Sequence, residues 1–314
     1  MSKMRVYVVT VISTFAGCGG SSLGYKMAGF TEVLAIDWDN HAEKVFTANF
    51  PDVPFWNKDI TKVSSQDILE ATGLKKGELD VLDGSPPCQG FSTAGKRNVT
   101  DDRNDLFKHF SRLVEGLQPK VFVMENVSGM VKGKMKGKFI EILKNLKSLN
   151  YNVKVKLLNA ANYSVPQSRQ RLFFIGVRKD LNKEPVFPKA HKKIIVIKDV
   201  YEANVKDYMS QEELRVIDTH AFQQRKKGNN FGGRNLATNI NDVLKTLTKH
   251  RNSDCIIKVG NKYRYPTLLE LKRFCSFPDN FKFFSYNSAW SGMGNAVMPK
   301  QMEAIANTIR EEIL

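Results

Sequence analysis

The chain has 314 residues, 42% hydrophobic and 25% charged, with 48 Lys plus Arg against 32 Asp plus Glu for a net charge of +16. That length accommodates one large domain or a domain with a second lobe. No apolar run reaches the roughly 18 residues of a membrane span, and so basic a balance points to a polyanionic partner, nucleic acid ahead of a membrane surface. The four cysteines, Cys18, Cys88, Cys255 and Cys275, include no Cys-x-x-Cys pair. This argues against a zinc site and for reduced thiols in the cytoplasm.

Lys3 and Arg5 precede an apolar stretch from Val6 to Ala16, which superficially resembles a secretory leader. Its Val, Ile and Thr content, and the glycine-rich turn that follows, favour a buried strand over Val8–Thr14. The turn is Phe15-Ala16-Gly17-Cys18-Gly19-Gly20, and a helix follows to Ala28. The next strand, Glu32–Ile36, ends on Asp37 and Trp38, and His41–Asn49 is the next helix. Glycines let the backbone turn tightly and approach a ligand closely. An acidic residue about twenty positions later suits the ribose hydroxyls of a nucleoside cofactor. Trp38 is placed to stack on a purine. An ordinary strand-to-helix turn is the alternative, and glycine spacing alone does not separate a nicotinamide cofactor from S-adenosylmethionine.

Leu79–Leu82 is a further strand, and Asp83-Gly84-Ser85-Pro86-Pro87-Cys88-Gln89-Gly90-Phe91-Ser92 follows it. Two prolines stiffen the approach to a thiol at the carboxyl end of a strand, where open sheets place ligands. Such a cysteine is a nucleophile if its pKa is lowered, and otherwise a small buried residue. The polar stretch from Ser92 to Asn104 carries Lys96, Arg97 and Arg103 and is suited to closing over a bound strand. The strand Val121–Met124 delivers Glu125-Asn126-Val127 to the same edge. That carboxylate either serves a ring nitrogen or an exocyclic amine, or is a surface or capping group. Phe139, Ile140, Leu143, Leu146 and Leu149 recur at helical spacing. Gln167-Ser168-Arg169-Gln170-Arg171 precedes the strand Leu172–Val177. Alternate arginines point the same way if this stretch is extended, ready for phosphate or a pyrimidine carbonyl; a solvated charged turn is the alternative. Strands alternating with helices in this manner predict an α/β fold with a doubly wound, mostly parallel sheet.

From Pro188 the texture changes. His191 to Lys262 is polar and basic, with a turn or flexible loop from Gly228 to Arg234, and reads as a second, smaller lobe. Leu268–Phe274 and Lys300–Leu314 are helical.

The order of these clusters resembles the DNA (cytosine-5) methyltransferases of bacterial or phage restriction-modification type. Phe15 to Gly20 matches the family's cofactor motif, Pro86-Pro87-Cys88-Gln89 its nucleophile motif and Glu125-Asn126-Val127 its glutamate motif. Gln167, Arg169 and Arg171 match its glutamine-arginine-arginine motif, and Gly294-Asn295-Ala296-Val297 its last motif. Glu270 and Arg273, before Phe277-Pro278, look like the family's structural helix beside the recognition lobe. Asp37 stands where many members carry Glu, and Met298 where others often have Pro. The likeness covers 6–187 and about 263–314.

The resemblance implies a Rossmann-like, S-adenosylmethionine-dependent methyltransferase fold. Its parts would be a catalytic domain (1–187), a target-recognition lobe (188–262) and a C-terminal segment (263–314) that returns to the catalytic domain. It implies transfer of a methyl group to carbon 5 of a flipped cytosine in double-stranded DNA, leaving S-adenosylhomocysteine. Cys88 would attack carbon 6, Glu125 would serve ring nitrogen 3, Arg171 would hold the carbonyl at position 2, and Arg169 would support that network. The cofactor would lie among Phe15, Ala16, Gly17, Gly19, Gly20, Asp37, Trp38, Asp59, Ile60 and Pro87, with Asn295, Ala296 and Val297 returning to it. Gln89, Ser92, Lys96, Arg97, Thr246 and Leu247 would contact DNA, with Lys226, Lys227, Arg234, Lys249 and Arg251 meeting phosphate. A monomer suffices for this chemistry, no metal is needed, and a companion restriction endonuclease is a possible partner. The rivals are a transfer RNA cytosine-5 methyltransferase, a catalytically silent DNA-binding protein and, from the glycine loop alone, a nicotinamide oxidoreductase.

Overall fold

The computed structural model describes residues 8–87, 105–131, 136–226, 237–249 and 255–314. Cys88, Gln89, Ser92, Lys96, Arg97, Lys227, Arg234 and Arg251, together with the turn expected over Gly228–Arg234, lie outside the described residues. By contact the chain divides into two compact units. The first comprises 1–158, 170–189 and 302–314, and the second 159–169 and 190–301. The break near the expected 187/188 boundary thus falls at 189/190. Residues 263–301 group with the lobe, and within the C-terminal segment only 302–314 groups with the first unit.

The first unit is built on a seven-stranded sheet. Its strands are β1 (Thr10–Thr14), β2 (Thr31–Asp37), β3 (Phe55–Asn57), β4 (Val81–Gly84), β5 (Val121–Val127), β6 (Tyr151–Asn159) and β8 (Gln170–Arg178); β7 (Gln167–Ser168) belongs to the second unit. The spatial order is β3-β2-β1-β4-β5-β8-β6. Pairings from β3 through β5 are parallel, and β8 runs antiparallel to β5. This is the mostly parallel α/β sheet that the sequence predicts. Central strands read as near-continuous buried runs because both faces of the sheet are covered: all four residues of β4 are buried, as are the last four of β1.

The helices are α1 (Gly20–Met27), α2 (Asn40–Asn49), α3 (Ser65–Thr72), α4 (Leu106–Leu117), α5 (Lys136–Lys147) and α9 (Pro299–Glu312). A Ser64/Asp67 capping box starts α3, and Gly73, with φ of 69°, ends it. The inner residues of α3, α4 and α5, among them Ile68, Phe110, Leu113, Ile142 and Leu146, close one core with Leu82, Phe122 and Phe174 of the sheet. Glycine is required where β4 is squeezed: a Cβ on Gly84 would lie 2.5 Å from Thr14 Oγ1 and 2.6 Å from the Phe110 ring.

The second unit carries β7 beside β10 (Leu244–Lys245), a three-stranded sheet of β9 (Thr238–Asn239), β11 (Ile257–Val259) and β12 (Lys262–Arg264), and helices α6 (Gln211–Lys226), α7 (Leu268–Phe274) and α8 (Tyr286–Asn295). Ile197, Leu244, Ile257 and Phe274 form a small core. Glu270 is fully buried and pairs with Arg264, its two oxygens each 2.6 Å from a guanidinium nitrogen. It also caps α7 with Thr267. Arg273 pairs with Asp279 at 2.6 Å.

Candidate active site

Parallel strands deliver their carboxyl ends to one edge, and β1, β2, β4 and β5 each place a chemically distinctive residue there. At the end of β1 the chain turns through Phe15, Gly17 and Gly19, with φ of 56°, 55° and 87°. A left-handed φ at a non-glycine residue such as Phe15 is strained and persists only where its surroundings impose it. Gly19 has a second constraint: a Cβ there would lie 2.5 Å from the Phe50 ring. Above Gly17 a Cβ would meet nothing within 4 Å, so the loop leaves open space on that side. Ala16, Cys18 and Gly20 are buried beneath it.

Asp37, ending β2, accepts the Gly17 N–H through Oδ2 at 2.8 Å and the Asp39 N–H through Oδ1 at 3.0 Å. Burial lifts its carboxyl above the usual range, against the pull of those N–H groups. Trp38 beside it is 73% exposed, the reverse of what a packing tryptophan shows. Asp59 is exposed and accepts the Thr61 N–H at 3.0 Å. That bond holds its carboxyl below the ordinary range, while Ile60 packs into the core. The open glycine turn, the anchored carboxylate and the exposed indole fit a nucleoside cofactor.

Another part of this edge is set by β5 and β8. In the antiparallel register Glu125 faces Phe173 and Val127 faces Arg171. Side chains two apart share a face, so Glu125 and Arg171 are diagonal neighbours, and Arg171 Nε meets Glu125 Oε1 at 2.7 Å. Both are largely enclosed, with side-chain exposures of 14% for Arg171 and 11% for Glu125. Burial pulls the Arg171 guanidinium below its usual pKa, and the Glu125 carboxylate opposes that. Nη1 donates to Gln170 O at 2.9 Å. Asn126 donates to Pro86 O at 3.1 Å. The backbone leading into Pro87 and Cys88 is therefore fastened to the residue that follows Glu125.

Sequence reasoning missed an acidic cluster beneath the glycine loop. The Tyr25 hydroxyl lies 3.3 Å from Asp83 Oδ1, and the Ser22 hydroxyl donates to Glu32 at 3.0 Å. Burial pushes the Asp83 carboxyl up to about 8 and that of Glu32 up to about 7. The only signal in the sequence is Asp83 closing an apolar strand.

In the second unit, Asn295 is exposed at the end of α8, Ala296 is half-buried and Val297 is buried. Two expectations change here. Arg169 falls between β7 and β8, is 0% exposed, and donates to Leu247 O at 2.7 Å and Gly294 O at 2.8 Å. It grips backbone carbonyls of its own unit, where a part in the network of Arg171 was expected. Leu247 is fully buried, and its N–H donates to Gln167 Oε1 at 3.1 Å. Its side chain packs in the lobe and does not present itself to DNA. Thr246, half-buried, donates its hydroxyl to Ser168 O at 2.7 Å. Among the described residues no cluster of His, Cys, Asp and Glu is fit to hold a metal ion, and no helix is long and apolar enough to cross a membrane.

The sequence profile of the C-5 cytosine-specific DNA methylases matches residues 9–311. The Type II methyltransferase M1.HphI of Haemophilus parahaemolyticus is 36% identical, over 98% of this chain and 89% of its own length. M.NgoPII of Neisseria gonorrhoeae, also a Type II methyltransferase, is 32% identical over 96% of both chains. Among solved structures, a prophage-encoded E. coli protein described as a DNA modification methyltransferase superposes with a TM-score of 0.73 at 26% identity. That match covers 97% of this chain and 99% of the other.

Proposed function

The chain belongs to the C-5 cytosine-specific DNA methylases, and from that membership we propose which of its residues perform the transfer of a methyl group from S-adenosylmethionine to cytosine in DNA. Cys88 is the nucleophile. Its thiolate bonds to carbon 6 of cytosine, which makes carbon 5 electron-rich enough to accept a methyl group. Glu125 holds a proton at ring nitrogen 3, where negative charge develops, and Arg171 binds the carbonyl at position 2. Loss of the carbon-5 proton then releases the thiolate by elimination.

The observation that carries these roles is the enclosed Glu125–Arg171 pair, 2.7 Å apart. The guanidinium fixes the carboxylate, and the pair stands at the edge where such a sheet presents its ligands. The Asn126 bond to Pro86 O supports the same reading, because it ties the approach to Cys88 to this pair.

When bound, S-adenosylmethionine supplies an electrophilic methyl group. Phe15, Ala16, Gly17, Gly19 and Gly20 would line its pocket. Asp37 would hold ribose hydroxyls, Trp38, Asp59 and Ile60 would flank the adenine, and Pro87 and Asn295–Val297 would complete the contacts. The target lies inside a stacked duplex, so the base must be flipped out at roughly a few kcal/mol. Gln89, Ser92, Lys96 and Arg97 are the residues proposed to hold the opened strand. The lobe from about residue 190 reads the sequence, with Thr246 at its base. We further propose that the protein acts as a monomer in the cytoplasm and protects DNA beside a companion restriction endonuclease, as befits a relative of Type II methyltransferases.

The test incubates the protein with labelled S-adenosylmethionine and unmethylated genomic DNA, then maps 5-methylcytosine, with Cys88→Ser alongside. Methylation of one short motif by the wild type, absent from the variant, is the expected result. Label in transfer RNA and not in DNA, or activity retained by Cys88→Ser, overturns the assignment.

A further inference from the structure

The three-stranded sheet of the second unit has two unlike faces. Its register pairs Ile257 with Thr238 and with Arg264, and Lys258 with Asn239 and with Tyr263. Residues paired across strands share a face, and neighbours along a strand take opposite faces. Thr238, Ile257 and Arg264, at 5%, 0% and 1% exposure, form the inner face, where Ile257 joins the small core with Ile197, Leu244 and Phe274. The row Asn239, Lys258, Tyr263 crosses the outer face. Asn239 is exposed, and Lys258 and Tyr263 are half-buried. With Asp242 and Lys245 these three help to line a cleft of about 590 Å³.

The row presents donors. Asn239 Oδ1 accepts the Asn241 N–H at 2.9 Å. A backbone N–H requires an acceptor, so the oxygen is the tethered end of the amide, and Nδ2, with its two hydrogens, is the other end. Lys258 Nζ lies 5.8 Å from the centroid of the Tyr263 ring, within the range in which a π face steadies an ammonium. An ammonium donates and does not accept. Asn239 and Lys258 therefore bring two donor groups onto one face from strands about 4.8 Å apart, and a pair of acceptors is their complement. Charge narrows the partner. The cleft holds Lys245 and Lys258 against Asp242 alone, in a chain of net charge +16, which suits a polyanion. In the major groove of DNA, guanine shows two acceptors, N7 and O6. Adenine shows an acceptor and a donor, thymine an acceptor and a methyl group, and cytosine a donor.

We propose that Asn239 and Lys258 are specificity-determining residues that read a guanine of the methylated motif through its major-groove acceptors, with Tyr263 as the positioning residue beside Lys258. This rests on the reading given under Proposed function and names the side chains by which the lobe carries it out. None of the three is among the DNA contacts expected from the sequence, because a cross-strand row joins residues 239, 258 and 263, which form no local motif. The ladder fixes the spacing of the two donors, as a site meant to discriminate requires. A two-bond contact of this kind discriminates against a wrong base by about 5- to 150-fold.

The experiment first maps the methylated motif. It then measures Kd for a duplex carrying that motif, and for duplexes in which each base pair in turn is replaced or each guanine becomes 7-deazaguanine. The proteins are the wild type, Lys258→Met and Asn239→Asp. Methionine keeps an unbranched apolar side chain and removes the ammonium. Aspartate keeps the tether to Asn241 and removes the donor, and it serves alone if Lys258→Met does not fold, as judged by its melting transition. The wild type should lose at least about 5-fold in affinity when one particular guanine is replaced, and part of that on 7-deaza substitution. Both variants should lose most of the discrimination at that guanine and stay within threefold of wild type in their discrimination at the other positions. Equal weakening on every sequence with a shallower salt dependence marks a phosphate contact and overturns the proposal. Unchanged discrimination at every guanine in both variants, or in Asn239→Asp where the methionine variant does not fold, overturns it as well. Absence of DNA methylation by the wild type instead overturns the functional reading, so the two failures are distinguishable.

Discussion

Replacing Glu125 by Gln separates the charge of the Glu125–Arg171 pair from its shape. Glutamine keeps an oxygen for Arg171 Nε, now at 2.7 Å from Glu125 Oε1, and it fits the same space between β5 and β8. What it removes is the negative charge and the ability to carry a proton to ring nitrogen 3. On the stability side, a charge-assisted hydrogen bond becomes one to a neutral acceptor, a difference of about 1–2 kcal/mol. In a unit of this size that lowers Tm by a few degrees. Alanine removes the partner altogether and leaves a buried guanidinium, at about 3–5 kcal/mol. On the catalytic side, losing a group aimed at developing charge costs about 10²- to 10³-fold in kcat. The assay is incorporation of labelled methyl groups into duplex DNA under single-turnover conditions, with KM for DNA measured in parallel. Glu125→Gln should drop in rate by that factor with KM changed less than threefold. A rate within threefold of wild type, in a variant that melts normally, would refute the role given to Glu125.

Glu32 and Asp83 have carboxyls raised to about 7 and about 8, so the folded chain holds protons that the unfolded chain gives up near pH 4. Stability is therefore fully present below about pH 4 as far as these two groups go. It falls as pH rises through about 8, by up to about 1.4 kcal/mol per pH unit per group. Melting curves from pH 5 to 9 should show that decline, and Asp83→Asn should flatten it. Gly19→Ala combines a left-handed backbone with a Cβ 2.5 Å from the Phe50 ring; binding of S-adenosylhomocysteine by calorimetry should weaken at least tenfold, and unchanged affinity would contradict the pocket. Glu270→Gln leaves the buried Arg264 guanidinium without a carboxylate and should destabilise the protein by roughly 3 kcal/mol, read from urea denaturation.

Much of the first unit is legible in the sequence because parallel strands buried on both faces announce themselves as short apolar runs, and their carboxyl ends mark the ligand edge. Val8–Thr14, Glu32–Ile36 and Val121–Met124 point to strands whose ends carry the glycine loop, Asp37 and Glu125. The edge strand β6 is not legible. Lys154 and Lys156 face solvent along it, as charged residues do on strands that must not recruit another chain, and their alternation with Val and Leu dilutes the apolar run. Helix α6 is equally hidden: Val216 and Phe222 are exposed, and among its described side chains only Leu214 and Ala221 are deeply buried, so its sequence carries little helical periodicity. Arg169 misleads for a different reason. Period-two reasoning puts it on the same face as Arg171, but β7 stops at Ser168 and β8 starts at Gln170. The break between the two strands releases Arg169 from that alternation.

The antiparallel strand explains how this sheet can supply an arginine to Glu125 at all. In a wholly parallel sheet, every residue at the ligand edge comes from the last turns of a strand, and the chain then departs into a helix. Because β8 enters the sheet from the opposite end, its first residues arrive at the edge where β5 leaves. Val127 pairs with Arg171, which brings the start of one strand beside the finish of the other. The pair is then fixed by two strands of the central sheet and not by loops, and the register sets its geometry: a slip of one residue would turn Arg171 to the other face. Seven ladder pairs from Val121↔Val177 to Val127↔Arg171 oppose such a slip. A nearby constraint acts on the approach to Cys88, since Asn126, between Glu125 and Val127, donates to Pro86 O. Precision at the proposed site therefore comes from the register of β5 with β8 and from that one side-chain bond, and substituting Asn126 by Ala should slow methyl transfer without moving the Glu125–Arg171 pair.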